Sequence, residues 1–232
     1  MRRISLPIFA LALCAGVQSA SADNRNWAGF YAGFHAGGVW GKSRATDLSG
    51  WNGAGNSFTA STSGFNGGVQ AGYNLPMPGA PVLIGIEGDL GYLGFKGSAI
   101  SALAQTLGNG TTVSTSGSLY GTVRGRFGVT WDQVLLYGTG GLMIANAKAQ
   151  VADNVFTTTI QTGNTGTQTG WTIGGGLEFG LTGAMSGWTV KGEYLYFDLG
   201  TKTVSGTNAI GTFNWDIKTA GNIGRLGLNH RF

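Results

Sequence analysis

Residues 63–74 read SGFNGGVQAGYN. Phe65, Gly67, Val69, Ala71 and Tyr73 fall on one face of an extended chain, and Gly64, Asn66, Gly68, Gln70, Gly72 and Asn74 fall on the other. Alternation with period two marks a β-strand whose two faces meet different surroundings. A soluble sandwich packs bulky residues inward and sends charge outward. Here the bulky face carries no charge, and the opposite face is amide or glycine. That pattern suits a barrel with lipid outside and a narrow polar interior.

Seven more segments repeat the pattern. Residues 27–40 set Phe30, Ala32, Phe34, Ala36 and Trp40 against Tyr31, Gly33, His35 and Gly37. Residues 82–95 turn Ile84, Ile86, Leu90 and Tyr92 outward and Glu87 and Asp89 inward. Residues 116–130 turn Leu119, Val123, Phe127 and Val129 outward, with Tyr120, Thr122, Arg124 and Arg126 inward. Residues 134–147 are less regular, with Leu136, Leu142 and Ile144 outward and Tyr137 and Thr139 inward. Residues 169–181 place Trp171, Ile173, Leu177 and Phe179 outside, with Thr172 and Glu178 inside. Residues 188–199 place Val190, Tyr194 and Tyr196 outside, with Lys191 and Glu193 inside. Residues 219–232 place Leu226, Leu228, His230 and Phe232 outside, with Arg225, Asn229 and Arg231 inside. A tilted strand crosses a membrane with about 9–11 residues, and each segment is long enough.

The connections alternate in length. Residues 41–62, 96–115, 148–168 and 200–218 are long and rich in Gly, Ser, Thr and Asn, whereas 75–81, 131–133 and 182–187 are short. Outer-membrane barrels combine short periplasmic turns with long external loops. Aromatics sit at the strand ends: Trp27, Tyr73, Trp131, Trp188 and Phe232 at one end, Trp40, Phe65, Tyr92, Phe95, Trp171, Tyr194 and Tyr196 at the other. Two such girdles belong at headgroup depth. The fold expected is all-β: an eight-stranded antiparallel up-and-down transmembrane β-barrel, in the cell outer membrane, with both termini periplasmic.

Composition agrees. Of 232 residues, 44 are glycine and only 10% are charged, against about 7% and 25% in average proteins. Four prolines and no strict glycine period exclude collagen, and 26 aromatics exclude a solvated coil. Residues 1–22, MRRISLPIFALALCAGVQSASA, have the charged start, short apolar core and A-x-A end of a signal peptide. Cleavage is expected between Ala22 and Asp23, with Ala20 and Ala22 as the small recognition residues, leaving a barrel domain at 23–232. Leu13 before Cys14 argues against a lipoprotein. Removing Arg2 and Arg3 leaves 12 basic against 10 acidic residues, so the high pI comes partly from the leader. No basic run suits nucleic acid, and no nucleic-acid partner is expected.

Four stretches carry a family resemblance: WAGFYAGFHAGGVWG, VLLYGTGGLMIANAK, VKGEYLYFDLG and the closing RLGLNHRF. Together they resemble the small alphaproteobacterial outer-membrane β-barrel proteins, porin-like surface antigens with an OmpA-type barrel. The resemblance covers the mature chain. It implies an integral outer-membrane protein without catalytic activity, and some relatives are described as haemin-binding or as porins. It also implies an assembly signal in the last strand, here Leu226, Leu228, His230 and Phe232, read by the barrel-assembly machinery. The family usually ends Tyr-Arg-Phe; this chain ends His230-Arg231-Phe232.

The inward charges are Glu87, Asp89, Glu178 and Glu193 against Arg124, Arg126, Lys191 and Arg225. In an eight-stranded barrel the interior is just wide enough for side chains, so these groups are expected to pair. Glu87 and Arg124 fall at similar depth on neighbouring strands. The bland reading is a packed ionic plug; the alternative is a gate for ions, making the protein a small-solute channel. No cofactor or metal site is expected, since His, Cys and carboxylates do not cluster with ligand spacing. His35 and His230 lack the adjacent nucleophile and orienting acid of a catalytic triad, so no enzyme is expected. The four long connections contain no His, Tyr, Met or Cys, hence no usual axial donor for haemin. Contact through Trp51, Phe58, Phe156, Phe213 or Trp215 leaves haemin or host surface ligands as candidate loop partners, beside outer-membrane lipids.

Overall fold

A computed structural model describes residues 27–50, 54–100, 111–155, 158–161, 165–207 and 211–232. The leader, with Ala20, Ala22 and Asp23, lies outside the described residues, as do Trp51 and Phe156. Twelve strands are formed among the described residues: β1 (Gly29–Asp47), β2 (Ser57–Pro76), β3 (Val82–Leu93), β4 (Lys96–Ile100), β5 (Thr111–Ser116), β6 (Leu119–Trp131), β7 (Val134–Asn146), β8 (Lys148–Val155), β9 (Thr158–Gln161), β10 (Thr167–Gly180), β11 (Trp188–Thr207) and β12 (Thr212–Arg231). Eight of them close a ring in the order β1-β2-β3-β6-β7-β10-β11-β12, and β12 pairs back onto β1 from Tyr31↔Arg231 to Asp47↔Trp215. Closure gives every strand of the ring two neighbours and leaves it no edge.

The other four strands correct the expected count and the expected loops. Within 41–62, 96–115, 148–168 and 200–218 the described residues are largely strand. β1, β2, β11 and β12 run straight on, while β4, β5, β8 and β9 continue the wall above short breaks such as Gly94–Phe95 and 117–118. The β-branched Thr and Val in these stretches fit a pleated, half-buried sheet surface. The opposite end is tight. Asp132, with φ of 51°, turns β6 into β7, and Trp27 Nε1 donates to its carbonyl at 3.3 Å. Both described termini lie at this end, since Phe232 N donates to Phe30 O at 3.0 Å.

The outer wall is apolar. Phe34, Val69, Ile86, Leu90, Val123, Phe127, Leu142, Ile173 and Leu226 are all exposed on it. A contiguous apolar surface of this extent is unfavourable in water by about 25 cal/mol per Å², so the wall is built for a non-aqueous surrounding. The girdles form in part as expected. Trp40 stacks near Tyr194 at 6.1 Å, and Trp171 near Tyr196 at 5.4 Å. Trp27 and Phe95 do not belong to them. Both are buried in the interior, at 2% and 1% exposure, and lie just beyond the ends of β1 and β3.

The interior is layered. Trp27, Leu83, Leu135 and Tyr137 close the end bearing the termini. The charged residues form a slab in the middle. Above it comes an apolar layer that includes Val39, Leu93, Phe95, Met143, Leu195, Phe197 and Ile223. The upper extension is filled by Ala45, Ala60, Val113, Val151, Val204, Trp215 and Ile217, with Phe58 edge-on to Trp215 at 5.6 Å. The lumen is therefore not filled by charge alone; apolar layers flank the charges on both sides.

Part of the glycine content follows from this filling. Four inward aromatics each face a glycine in register: Tyr31↔Gly72, Tyr120↔Gly91, Tyr137↔Gly176 and Phe197↔Gly221. A Cβ on Gly72 would stand 2.3 Å from Tyr31 Oη, and one on Gly176 would stand 2.7 Å from Tyr137 Oη. Each large ring occupies the space that its neighbour leaves empty.

Candidate functional site: a charge cluster in the lumen

Each charged side chain arrives inside because its strand alternates. β3 supplies Glu87 and Asp89, β6 supplies Arg124 and Arg126, β10 supplies Glu178, β11 supplies Lys191 and Glu193, and β12 supplies Arg225. All eight are buried. Glu87 and Arg124 are register partners and form an ion pair. Arg124 Nη2 also reaches Asp89 Oδ2 at 2.8 Å, and its Nη1 reaches Glu193 Oε1 at 3.2 Å. Arg225 Nη2 lies 2.5 Å from Glu193 Oε2 and 3.1 Å from Asp89 Oδ2. Lys191 Nζ meets Glu87 Oε2 at 2.9 Å, and Arg126 Nη2 meets Glu178 Oε2 at 2.9 Å. Four cations and four anions thus form one connected cluster.

A neutral shell supplies further hydrogen bonds. Tyr31 Oη donates to Glu87 Oε2 at 2.7 Å, Tyr137 Oη to Glu193 Oε1 at 2.8 Å, and Thr122 Oγ1 to Asp89 Oδ2 at 2.8 Å. Asn229 Nδ2 donates to Glu178 Oε1 at 3.0 Å, and Thr189 Oγ1 donates to the same oxygen. The Arg126 guanidinium lies over the Tyr137 ring at 4.1 Å. Burying charge is costly unless each group is paired and hydrogen-bonded. Here seven of the eight ring strands supply partners, and Asp89 Oδ1 and Arg126 Nε are left without one. The sequence alone places these Tyr, Thr and Asn residues on the inward face but gives no sign of their bonding; their phase against the carboxylates is the only signal available.

His35 belongs to the margin of this cluster. Its Nε2 lies 2.9 Å from Tyr120 Oη and its Nδ1 3.2 Å from Gln70 Oε1, with Arg225 Nη1 also 3.2 Å from Nε2. Gln70 Nε2 in turn donates to Asn229 Oδ1 at 2.6 Å. These contacts hold the ring among amide, phenol and guanidinium groups.

The residues expected to signal assembly form a stripe on the outer face of β12. Leu226 and Phe232 are exposed, and Leu228 and His230 are half-buried. The His230 ring packs edge-on between Trp188 and Phe232, at 4.9 Å from each, and Phe232 lies 5.7 Å from Phe30. The last residue of the chain therefore sits on the seam where β12 meets β1.

A closed antiparallel ring, apolar outside and polar within, defines a membrane-spanning β-barrel. The chain belongs to the outer membrane protein beta-barrel domain family, whose profile matches residues 8–217. It is 32% identical over 223 residues to the 31 kDa outer-membrane immunogenic protein of Brucella melitensis biotype 1, covering 92% of this chain and 87% of that protein. It is 34% identical over 122 residues to the 22 kDa outer membrane protein of Rhizobium leguminosarum bv. viciae, covering 50% of this chain and 46% of that protein. Among solved structures, the outer membrane protein OprG from Pseudomonas aeruginosa matches with a TM-score of 0.55 at 13% identity, over 88% of this chain and 97% of that one. That likeness is one of fold. The resemblance to alphaproteobacterial outer-membrane barrels is thus confirmed.

Proposed function

We propose that this outer-membrane barrel is a structural, surface-presenting protein whose lumen is closed by an ionic slab between apolar layers, and that it catalyses no reaction. The observation that carries the reading is the mutual ion pairing of Glu87, Asp89, Glu178 and Glu193 with Arg124, Arg126, Lys191 and Arg225. A conducting path needs mobile water and ions beside its charges; these charges are packed against one another and capped above and below. The contacts of His35 with Gln70, Tyr120 and Arg225 support a hydrogen-bonding role rather than that of a general base. The mature chain begins at Asp23 after loss of residues 1–22. The end with the termini and short turns faces the periplasm, as in barrels of this kind. Phe232, at the closing seam, is read by the barrel-assembly machinery. The name of the Brucella relative, an immunogenic protein, accords with surface presentation.

The test is a planar-bilayer recording of the purified protein. A closed lumen gives no steady ohmic steps. Reproducible steps that change in size in Glu87→Ala would replace this reading with that of a small-solute channel.

A further inference from the structure

Apart from the lumen cluster and Arg231 near the chain's end, every basic residue of the described chain lies in one zone: Lys42 and Arg44 on β1, Lys96 on β4, Lys148 on β8, Lys202 on β11 and Lys218 on β12. All are exposed. Lys42 and Arg44 follow Trp40 on the same outward face of β1, so the zone begins just beyond the girdle at the end opposite the termini.

One part of the zone is a cleft. The register sets Lys96 opposite Ser116, and Ser116 opposite Lys148, in a single row across β4, β5 and β8. The next row outward is Ser98, Ser114 and Gln150. Two strand spacings put the lysine backbones about 10 Å apart. Between them lies an open cleft of about 470 Å³, lined by these six residues together with Gly97 and Thr115. Neither lysine has a carboxylate within ion-pair distance among the described residues, whereas Lys218 is held by Asp198 at 3.2 Å. Two like charges sharing one row, without a counter-ion, leave room for an anion between them.

We propose that the cleft between Lys96 and Lys148 binds the phosphorylated saccharide headgroup of an outer-leaflet lipid. The two ammonium groups take phosphate, and the hydroxyls of Ser98, Ser114 and Ser116 with the Gln150 amide take sugar hydroxyls. The volume exceeds that of one phosphate and falls in the range of small-molecule sites. A lipid is the fitting carrier because the cleft opens on the outer wall, in line with the apolar surface of Tyr92, Leu119 and Ile144 below it. The inference rests on the orientation given above, in which this end faces outward.

The test uses the full mature protein in phosphatidylcholine nanodiscs, with lipid adducts counted by native mass spectrometry. The probes are a short-chain glucosamine-disaccharide lipid bearing phosphates, the same lipid without phosphates, and phosphatidylglycerol. The phosphorylated glycolipid should bind, and Lys96→Gln with Lys148→Gln should weaken it about tenfold or more, as loss of charged hydrogen bonds implies. Lys202→Gln serves as the control and should leave binding unchanged. Equal binding of the dephosphorylated lipid, equal or tighter binding of phosphatidylglycerol, or an equal loss in Lys202→Gln would each overturn the site. A soluble sulfated polysaccharide that displaces the lipid would also overturn it, assigning the cleft to a host surface polymer. Orientation is checked separately by labelling Ala54→Cys with an impermeant thiol reagent on intact cells. Absence of label would sink the orientation, whatever the nanodiscs show.

Discussion

Lys191 and Glu87 stand on opposite walls of the barrel, four strands apart in the ring of eight, and their side chains meet across the lumen at 2.9 Å. A contact of this kind ties β11 to β3 without help from the backbone ladder. It also requires the cross-section to stay narrow, since neither side chain can lengthen its reach. The same carboxylate holds Arg124 from the neighbouring strand. Glu87 is therefore the hub through which three strands share one charge balance.

Removing one member of the cluster leaves another buried and uncompensated. Glu87→Ala or Arg124→Ala is expected to destabilise the folded barrel by about 3–5 kcal/mol in urea titrations. The double variant should cost less than the sum of the two, because the pair is direct. Strict additivity would show that their apparent contact contributes no coupling. Because the slab is buried, 1 M salt should move the urea midpoint little.

Glycine positions divide by face. Gly72→Ala places a Cβ 2.3 Å from Tyr31 Oη and 2.6 Å from Ile86 O, and should cost about 1–3 kcal/mol through overpacking. Gly88→Ala points outward, with its nearest atom at 3.6 Å, and should be neutral or stabilising by up to about 1 kcal/mol. Equal effects in the same urea titration would refute the aromatic–glycine account of the lumen.

Phe95→Ala separates packing from sealing. It empties part of the apolar layer and should cost about 3–5 kcal/mol. The ionic slab beneath remains intact, so the bilayer trace should stay silent. Conductance in this variant would mean that the apolar layer, not the slab, closes the lumen.

Deleting Phe232 removes its contacts with Phe30 and His230. Rim burial of one aromatic contributes only about 1.5–3 kcal/mol, so refolding in detergent should survive. Insertion in cells, read by heat-modifiable migration of the outer-membrane fraction, should fall much further. Wild-type levels in cells would remove Phe232 from the assembly signal.

The sequence made the lower barrel legible because its two faces differ in kind. Ile86, Leu90 and Val123 alternate with Glu87, Asp89 and Arg124, and no other period accommodates both sets. The upper extension resembles loop in the sequence because its faces differ weakly. Ala45, Ala60 and Ala149 inside alternate with Ser, Thr and Lys outside, a contrast that resembles ordinary connecting sequence. Trp27 and Phe95 differ for another reason: aromatic residues at strand ends suggest an interface, but both lie just outside a strand, where alternation no longer fixes direction. Which cation meets which anion was legible only for Glu87 and Arg124, neighbours in register. The link between Lys191 and Glu87 spans the ring, and linear spacing carries no trace of it.

The continuous wall beyond the girdle has a bearing on which positions of the chain can vary. From Trp40 to Asp47 the strand β1 advances about 23 Å, or roughly 17 Å in height at the usual tilt. This extension of the wall is a stiff pedestal with a hydrophobic pith. Amino-acid changes on the outward face of this extension leave the pedestal's inward packing untouched, so those positions are free to vary in sequence. The ladder below, with its register locked on both sides, is not.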